Sequence, residues 1–216
     1  MVSIAIVNQK GGVGKTSVTL GLASSAAKKN LKTLVVDLDP QGNATTGLGV
    51  YEPSKGVVNV LEDEFFGGIN EIAERSNWPS DCGQIPYIAA STPNLSICEP
   101  RLATDPLGAQ NRLSLSFENS NWPLIIVDCP PSLGLLTINA LTSSHAIIIP
   151  IQCEYYALEG LSQLLNTFRL VQRHLNKKLI IGGVLMTMYD SRLNLSKQVV
   201  KELKSYFKDK LFNTLI

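Results

Sequence analysis

One stretch of the sequence combines residue types that could bind phosphate groups. Residues 10–16 read Lys-Gly-Gly-Val-Gly-Lys-Thr and follow the apolar run 4–7. Glycines let the backbone turn tightly, so that successive N–H groups point at phosphate oxygens, while Lys15 offers a cation and Thr16 a hydroxyl ligand for Mg²⁺. A helical pattern begins at Thr16, which would put the phosphates at a helix N-terminus. The order strand, loop, helix predicts a site for a nucleoside triphosphate and Mg²⁺, with nucleotide-binding residues Lys10, Gly11, Gly12, Val13, Gly14, Lys15, Thr16 and Ser17.

A second lysine at the entrance of this loop departs from the common motif. The general pattern G-x-x-x-x-G-K-[ST] has a glycine where this chain has Gln9, and Lys10 follows it. Two ammonium groups close together repel one another unless an anionic ligand lies between them. The pattern therefore indicates that Lys10 and Lys15 both act on a strongly anionic ligand, and we expect both to take part in catalysis. The alternative is a glycine-rich turn with an incidental lysine.

Two carboxylates follow predicted strands and could complete a phosphoryl-transfer site. Asp39 lies just after the run 34–37, in a segment whose proline and glycine predict a loop, and Asp128 ends the apolar run 124–128. Phosphoryl transfer depends mainly on positioning and charge stabilisation, so Asp39 could orient or deprotonate the attacking water. Asp128 could hold Mg²⁺ together with Thr16, and Asp39 is a third candidate ligand. The alternative role of Asp39 is turn capping.

Strand-like apolar runs alternate with helical patterns along the chain. This alternation predicts an α/β fold with a doubly wound, mostly parallel sheet and helices on both faces, and the ligand at the carboxyl ends of the strands. At 216 residues the chain is predicted to form a single domain. Strands are predicted over 4–7, 34–37, 87–90, 124–128, 146–150, 180–186 and 211–216, and helices over 16–29, 107–115, 136–143, 158–175 and 195–207.

Composition and cysteine spacing argue against several other protein classes. Apolar residues make up 44% of the chain, in runs shorter than the roughly 20 residues that a membrane-spanning helix needs. The N-terminus lacks the pattern of a signal peptide, so we expect a cytoplasmic protein. Cys82, Cys98, Cys129 and Cys153 form no C-x-x-C pair, which favours reduced core thiols over a zinc site or a disulfide framework.

A basic segment in the C-terminal part of the sequence predicts a polyanionic partner. Residues 169–210 carry ten of the 19 lysines and arginines but only three of the 18 acidic residues. Four lysines recur there at helical spacing, on the face opposite to apolar side chains. Such a face would contact phosphate backbones without reading bases, which gives salt-sensitive, nonspecific DNA binding; an ordinary solvated helix face is the alternative. The candidate DNA-binding residues are Arg192, Lys197, Lys201, Lys204 and Lys208.

These motifs together resemble those of the ParA/Soj partitioning ATPases, a branch of the deviant Walker A (MinD/ParA) class. The resemblance spans the chain and rests on K-G-G-V-G-K-T at 10–16, D-L-D-P-Q-G-N at 37–43, D-C-P-P at 128–131, P-I-Q-C-E-Y-Y-A-L-E-G at 150–160 and T-M-Y-D-S-R at 187–192. MinD-type relatives lack the D-P-Q-G-N form and carry a terminal membrane helix. Nitrogenase iron proteins pair two cluster cysteines, and no second cysteine with that spacing accompanies Cys129.

The resemblance implies a dimer switch driven by ATP. Lys10 would reach the nucleotide of the other subunit, Asp39 would support hydrolysis, and Thr187 and Met188 would contact adenine. The ATP-bound homodimer would bind nonspecific DNA on the nucleoid and not a membrane. A ParB/Spo0J-like protein would stimulate slow hydrolysis during chromosome or plasmid partitioning.

Three alternatives remain open from the sequence: a MinD-like positioning ATPase, a metabolic P-loop synthetase that phosphorylates a small carboxylate, and an inactive ATP-binding scaffold. Members of the family that this chain resembles continue beyond the strand 211–216 with a loop and terminal helices. The chain is therefore expected to be either a fragment or a shortened homologue that holds the nucleotide more weakly, and in both cases we expect some exposed apolar surface. An operator-binding domain before the phosphate loop is not expected.

Overall fold

One eight-stranded sheet organises the part of the chain that the computed structural model describes: residues 1–62, 68–79, 83–105, 108–154 and 157–216, without the side chains of 157–160. Its strands are β1 (Val2–Ile6), β2 (Thr33–Asp37), β3 (Ala73–Arg75), β4 (Tyr87–Ala89), β5 (Leu124–Asp128), β6 (Ala146–Gln152), β7 (Ile180–Thr187) and β8 (Leu211–Leu215). They lie in the order β3-β4-β2-β5-β1-β6-β7-β8, and the pairs are parallel except β3 with β4. The predicted α/β fold with a mostly parallel sheet is confirmed.

Helices connect most of the strands and cover both faces of the sheet. They are α1 (Lys15–Lys28), α2 (Asn43–Gly47), α3 (Val57–Leu61), α4 (Ile69–Ile72), α5 (Leu95–Ala103), α6 (Arg112–Ser116), α7 (Leu135–Ser143), α8 (Ala157–His174) and α9 (Asn194–Phe207). Side chains of α1 and α2 join one apolar cluster, and those of α3 to α9 join the other. Successive residues of a buried strand supply the two clusters in turn: Val35 packs towards α1, whereas Leu34 and Val36 pack on the opposite face.

The carboxyl ends of the central strands meet at one edge of the sheet. Asp128 at the end of β5 is in register with Ile6 of β1 on one side and with Asp37 of β2 on the other. The chain continues from β1 to β2 on one side, while β6 flanks β1 on the other. A crevice at the carboxyl edge forms where strand order reverses in this way, and this is where α/β proteins bind ligands.

The structure differs from the sequence prediction mainly in its short elements. The helix predicted over 107–115 is wrong in extent, because the described part of that stretch is a turn followed by α6, which begins at Arg112; residues 106 and 107 lie outside the described part. α5 was not predicted, since Pro100 inside it interrupts the helical pattern. The antiparallel edge strand β3 and the short helices α2 to α4 were also missed.

Two further expectations concern cysteines and apolar surfaces. Cys98, Cys129 and Cys153 are buried free thiols, while Cys82 falls outside the described residues.

A cavity of about 530 Å³ lies between α1 and the strands β6 to β8, with Leu185 and the exposed Phe212 in its lining. No helix in the described ranges has the length and apolarity to cross a membrane.

Candidate nucleotide-binding site

The loop between β1 and α1 has a backbone shape that glycine adopts most easily. Gly12 has a φ of 73° and Gly14 a φ of 87°, both left-handed. A Cβ added at Gly12 would meet no atom within 4 Å, so the space beside the loop is open. α1 begins directly after Gly14, and the first N–H groups of a helix have no partner within it. The loop therefore offers the free donors and the room that a phosphate group requires.

A cavity of about 390 Å³ lies against this loop. Its lining contains the predicted residues Gly11, Gly12, Gly14, Lys15, Thr16, Ser17, Asp39 and Met188, and adds Gln41, Asn43 and Pro131. Three predicted nucleotide-binding residues, Lys10, Val13 and Thr187, are not part of that lining. Gln41 and Asn43 belong to the D-P-Q-G-N segment that carries Asp39, so the motif already contained the signal for them.

Lys15 is the cation of the cavity. Its side chain is enclosed, with 7% of the residue exposed, and its Nζ donates to the backbone carbonyl of Lys10 at 3.2 Å. Burial lowers the pKa of Lys15, and the neighbouring carboxyl groups of Asp128 and, more weakly, Asp39 oppose that change. An ammonium group with so little water around it gains strongly from an anion.

Asp128 and Thr16 are joined directly. Thr16 Oγ1 donates to Asp128 Oδ2 at 2.8 Å, and Thr19 Oγ1 donates to Asp128 Oδ1 at 3.0 Å. Burial, together with the neighbouring carboxyl of Asp37, raises the pKa of Asp128 to about 7. Thr19 was not predicted; its place one helical turn after Thr16 was the signal that could have found it.

This pair of oxygen donors fits Mg²⁺. A hydroxyl and a carboxylate are hard ligands, and a divalent cation would supply the counter-charge that buried Asp128 needs. Among the described residues, no group of three or more His, Cys, Asp and Glu side chains could hold a metal by itself. Mg²⁺ would therefore complete its coordination with phosphate oxygens and water, as it commonly does in phosphate sites.

Asp39 faces the same cavity from the loop after β2. The residue is 8% exposed, and its Oδ1 accepts from the backbone N–H of Gln41 at 3.0 Å. The N–H of Leu38 donates to the Asp128 carbonyl at 2.9 Å, which ties this loop to the end of β5. The structure thus brings together Lys15, Thr16, Asp39 and Asp128, as the motifs predicted; whether Asp39 also binds Mg²⁺ stays a prediction.

Lys10 is held differently from Lys15. Its ammonium forms an ion pair with Glu154, in the segment after β6, and its backbone N–H donates to Asn8 Oδ1 at 3.0 Å. Asn8 Nδ2 in turn donates to the Pro150 carbonyl at 2.7 Å. The side chain is therefore directed to a carboxylate, and sequence reasoning had not assigned a role to Glu154.

Thr187 supports the phosphate loop from β7. Its Oγ1 donates to the Val13 carbonyl at 2.9 Å, and the residue is buried. The single proton of this hydroxyl is committed to the loop, so its predicted contact with adenine would have to come from other atoms. Met188, by contrast, has a φ of 53°, is 54% exposed and lines the cavity.

The predicted DNA-binding residues form a separate group. Lys197, Lys201 and Lys204 are exposed on α9, opposite the buried Val199 and Leu203. Placing Lys208 on that helical face was wrong: α9 ends at Phe207, and Lys208 has a φ of 51° in the following 3₁₀ turn. Arg192 is exposed but donates to both carboxylate oxygens of Asp190, with its Nη2 2.7 Å from Oδ2.

Comparison with known proteins agrees with this geometry. Residues 1–181 match the family model described as an AAA domain. The chain is 48% identical over 217 residues to the sporulation initiation inhibitor protein Soj of Bacillus subtilis, covering 99% of the chain and 83% of Soj. It is 43% identical to the chromosome partitioning protein ParA of Myxococcus xanthus, covering 99% of the chain and 74% of that protein. The chain belongs to the Soj/ParA family. The resemblance inferred from the motifs is confirmed.

A solved structure shares the fold of this Soj/ParA chain. Cobyrinic acid a,c-diamide synthase from Mycobacterium smegmatis, crystallised with ADP and magnesium, superposes with a TM-score of 0.85 and 32% identity over 96% of the chain and 83% of the synthase. The same synthase with an ATP analogue and magnesium gives a TM-score of 0.86. Nucleotide and Mg²⁺ binding is thus established for a protein with this fold and substantial sequence identity.

Proposed function

We propose that the chain is an ATPase that uses ATP binding to form a DNA-binding homodimer in chromosome or plasmid partitioning, and hydrolysis to release it. The observation that carries this proposal is that the two lysines of the phosphate loop lie in different environments. Lys15 is enclosed in the phosphate cavity, whereas Lys10 lies outside the lining, half exposed and paired with Glu154. Because its own cavity does not use it, Lys10 can exchange Glu154 for the phosphates of a second subunit.

The residues of the cavity have distinct roles in hydrolysis. Lys15 and the N–H groups of Gly12 and Gly14 bind the phosphates of ATP. Thr16 and Asp128 hold Mg²⁺, which neutralises phosphate charge when bound. Asp39, in the lining of the cavity, orients the attacking water. Charge stabilisation and positioning by these side chains are the main requirements of phosphoryl transfer.

Binding of DNA is assigned to the exposed lysines of α9. Lys197, Lys201 and Lys204 lie on the solvent side of a helix anchored by Val199 and Leu203, so the apolar face stabilises the helix and leaves the lysines free for phosphates. One such helix offers few contacts. Two copies in a dimer double the number of phosphate contacts, which is why the ATP state binds DNA more tightly.

One experiment tests these assignments together. We would measure ATP turnover, and the fluorescence anisotropy of a nonspecific DNA duplex in MgATP and in MgADP, for the wild-type chain and for Lys10→Ala and Asp39→Ala. The wild type binds DNA in ATP only, Lys10→Ala binds DNA in neither nucleotide, and Asp39→Ala binds DNA in ATP without turnover. Equal DNA binding in both nucleotides contradicts the switch. We expect slow turnover that rises when a ParB/Spo0J-like protein is added.

The similarity to cobyrinic acid a,c-diamide synthase favours a second candidate function, an ATP-dependent synthetase. Its signature is ATP consumption that requires an acceptor. Turnover with water alone, measured as phosphate release without any added substrate, supports the switch. Phosphate release that appears only when cobyrinic acid and an amide donor are added supports the synthetase.

A further inference from the structure

Asp37, at the end of β2, is a buried carboxylate on which three donors converge. Its Oδ2 accepts from the backbone N–H of Thr45 at 2.8 Å and from Thr45 Oγ1 at 2.7 Å. Its Oδ1 accepts from the backbone N–H of Asp39 at 3.1 Å. Asp37 has no exposed surface, so water does not replace any of these bonds. A carboxylate buried in this way is costly unless its hydrogen bonds are made.

These bonds link three separate segments. Thr45 lies in α2 and is itself buried, and its hydroxyl also accepts from the backbone N–H of Ser91, just after β4, at 2.9 Å. The hydroxyl proton therefore goes to Asp37 while its oxygen serves Ser91. We call the set formed by Asp37, Thr45 and Ser91 the Asp37 clasp. It ties the carboxyl ends of β2 and β4 to the helix that follows the Asp39 loop.

The loop that the clasp closes is the one that carries Asp39. Asp39 is fixed at its backbone by Asp37 and at its side chain by the N–H of Gln41 at 3.0 Å. The N–H of Gly42 donates to the Asp39 carbonyl at 2.9 Å, which completes a tight turn. Movement of Asp37 or Thr45 would thus shift the carboxylate that faces the phosphate cavity, without any direct contact between the clasp and Lys15.

We propose that Asp37 is a positioning residue for hydrolysis: through Thr45 and the N–H of Asp39 it holds the Asp39 carboxylate at the phosphate cavity. The proposal rests on the role given to Asp39 under the proposed function. It assigns a task to the first aspartate of D-L-D-P-Q-G-N that does not involve contact with nucleotide, since Asp37 is outside the cavity lining and its bonds are to the protein.

Asp37→Asn changes the fewest contacts; it also removes the charge that acts on Asp128, whereas the Thr45 variants keep that charge. The amide keeps the shape of the carboxylate and can still offer its oxygen to both donors of Thr45, but it then turns an NH₂ group towards the N–H of Asp39. The bond to Asp39 is lost while the contact with α2 survives. Thr45→Val removes the hydroxyl, and Thr45→Ser, its matched control, keeps it.

The test separates turnover from nucleotide binding in the full chain. We would measure kcat for ATP, the Kd of a fluorescent ATP analogue, the melting temperature, and amide hydrogen exchange over residues 38–45. For Asp37→Asn we expect kcat to fall by about tenfold or more, with Kd changed by less than about threefold and faster exchange in the loop. Thr45→Val should change kcat and loop exchange in the same direction as Asp37→Asn. Thr45→Ser should keep most of the turnover.

Several results would overturn the proposal. If Asp37→Asn has the same kcat and the same loop exchange as the wild type, the clasp does not position Asp39. If kcat, nucleotide affinity and melting temperature all fall together in both Asp37→Asn and Thr45→Val, the role of Asp37 is purely structural. Asp39→Ala tests whether Asp39 is the residue through which Asp37 acts. If Asp39→Ala hydrolyses ATP normally while Asp37→Asn does not, Asp37 acts through another residue. Absence of turnover in the wild type overturns the role in hydrolysis together with the proposed function, and the exchange data still decide whether Asp37 holds the loop.

Discussion

Lys10 and Glu154 form an ion pair that joins the phosphate loop to the segment after β6. The two residues are 144 positions apart in the sequence, and both side chains are 43% exposed. In the single chain the ammonium of Lys10 is thus committed to a carboxylate of the same molecule. In the proposed dimer, Lys10 would have to exchange Glu154 for the phosphates of the other subunit, so Glu154 would compete with dimer formation.

Replacing Glu154 by glutamine should ease dimerisation. An exposed ion pair contributes about 0.2–1 kcal/mol, so Glu154→Gln should lower the ATP concentration at half-maximal dimerisation by a factor of roughly 1.4 to 5. Light scattering during an ATP titration measures this. Glu118→Gln, a change at an exposed residue near the opposite end of the strands, is the control and should have no effect. Weaker dimerisation of Glu154→Gln would mean that Glu154 guides Lys10 to the partner instead.

Lys15 should matter for nucleotide binding far more than Lys10. Lys15→Gln removes the enclosed cation of the cavity, and the loss of charge-assisted hydrogen bonds should weaken ADP binding by about 100-fold or more. Lys10→Gln should change ADP affinity by less than about threefold, because its side chain is not part of the cavity lining. Titration with a fluorescent ADP analogue compares the two. Similar losses in both variants would show that the lysines act on the same nucleotide.

The bond between Thr187 and Val13 should stabilise the phosphate loop. Thr187→Val keeps the shape of the side chain but leaves the buried Val13 carbonyl without this donor, at a cost of about 1–2 kcal/mol in the free energy of unfolding. ATP affinity should fall several-fold, because the loop is no longer held. Urea unfolding and nucleotide titration measure both quantities. Thr187→Ser retains the hydroxyl and should resemble the wild type; equal defects in the two variants would point to packing alone.

The lysines of α9 should account for the salt dependence of DNA binding. In a plot of log K against log[salt], removing one lysine that neutralises a DNA phosphate reduces the slope by about 0.9. Lys197→Gln/Lys201→Gln should therefore reduce the slope by about two for each copy of the chain that binds. Lys28→Gln/Lys29→Gln, at the end of α1, removes the same charge from other exposed positions and should leave the slope unchanged. Equal reductions would mean that net charge, not this surface, attracts DNA.

Local patterns in the sequence predicted the sheet and the phosphate loop well. The run 124–128 was predicted with the bounds that β5 has, because a continuous apolar run that ends in aspartate is typical of a buried parallel strand. α1 and α9 were placed within one residue at each end. The same reasoning failed where a local signal opposed the tertiary structure: Pro100 lies inside α5, and the positive φ of Lys208 ends the lysine stripe.

The sequence by itself determined the fold class, the position of the phosphate loop and most of the residues that line the cavity beside it, because glycine spacing, apolar periodicity and strand-end aspartates are local properties. Only the tertiary structure decided the partners of those residues. Thr187 meets Val13 across 174 positions, and Ser91 meets Thr45 across 46. Such pairs form because neighbours in a parallel sheet are far apart in the chain, so the strand order β4-β2-β5-β1-β6-β7 sets them, and no local pattern records that order.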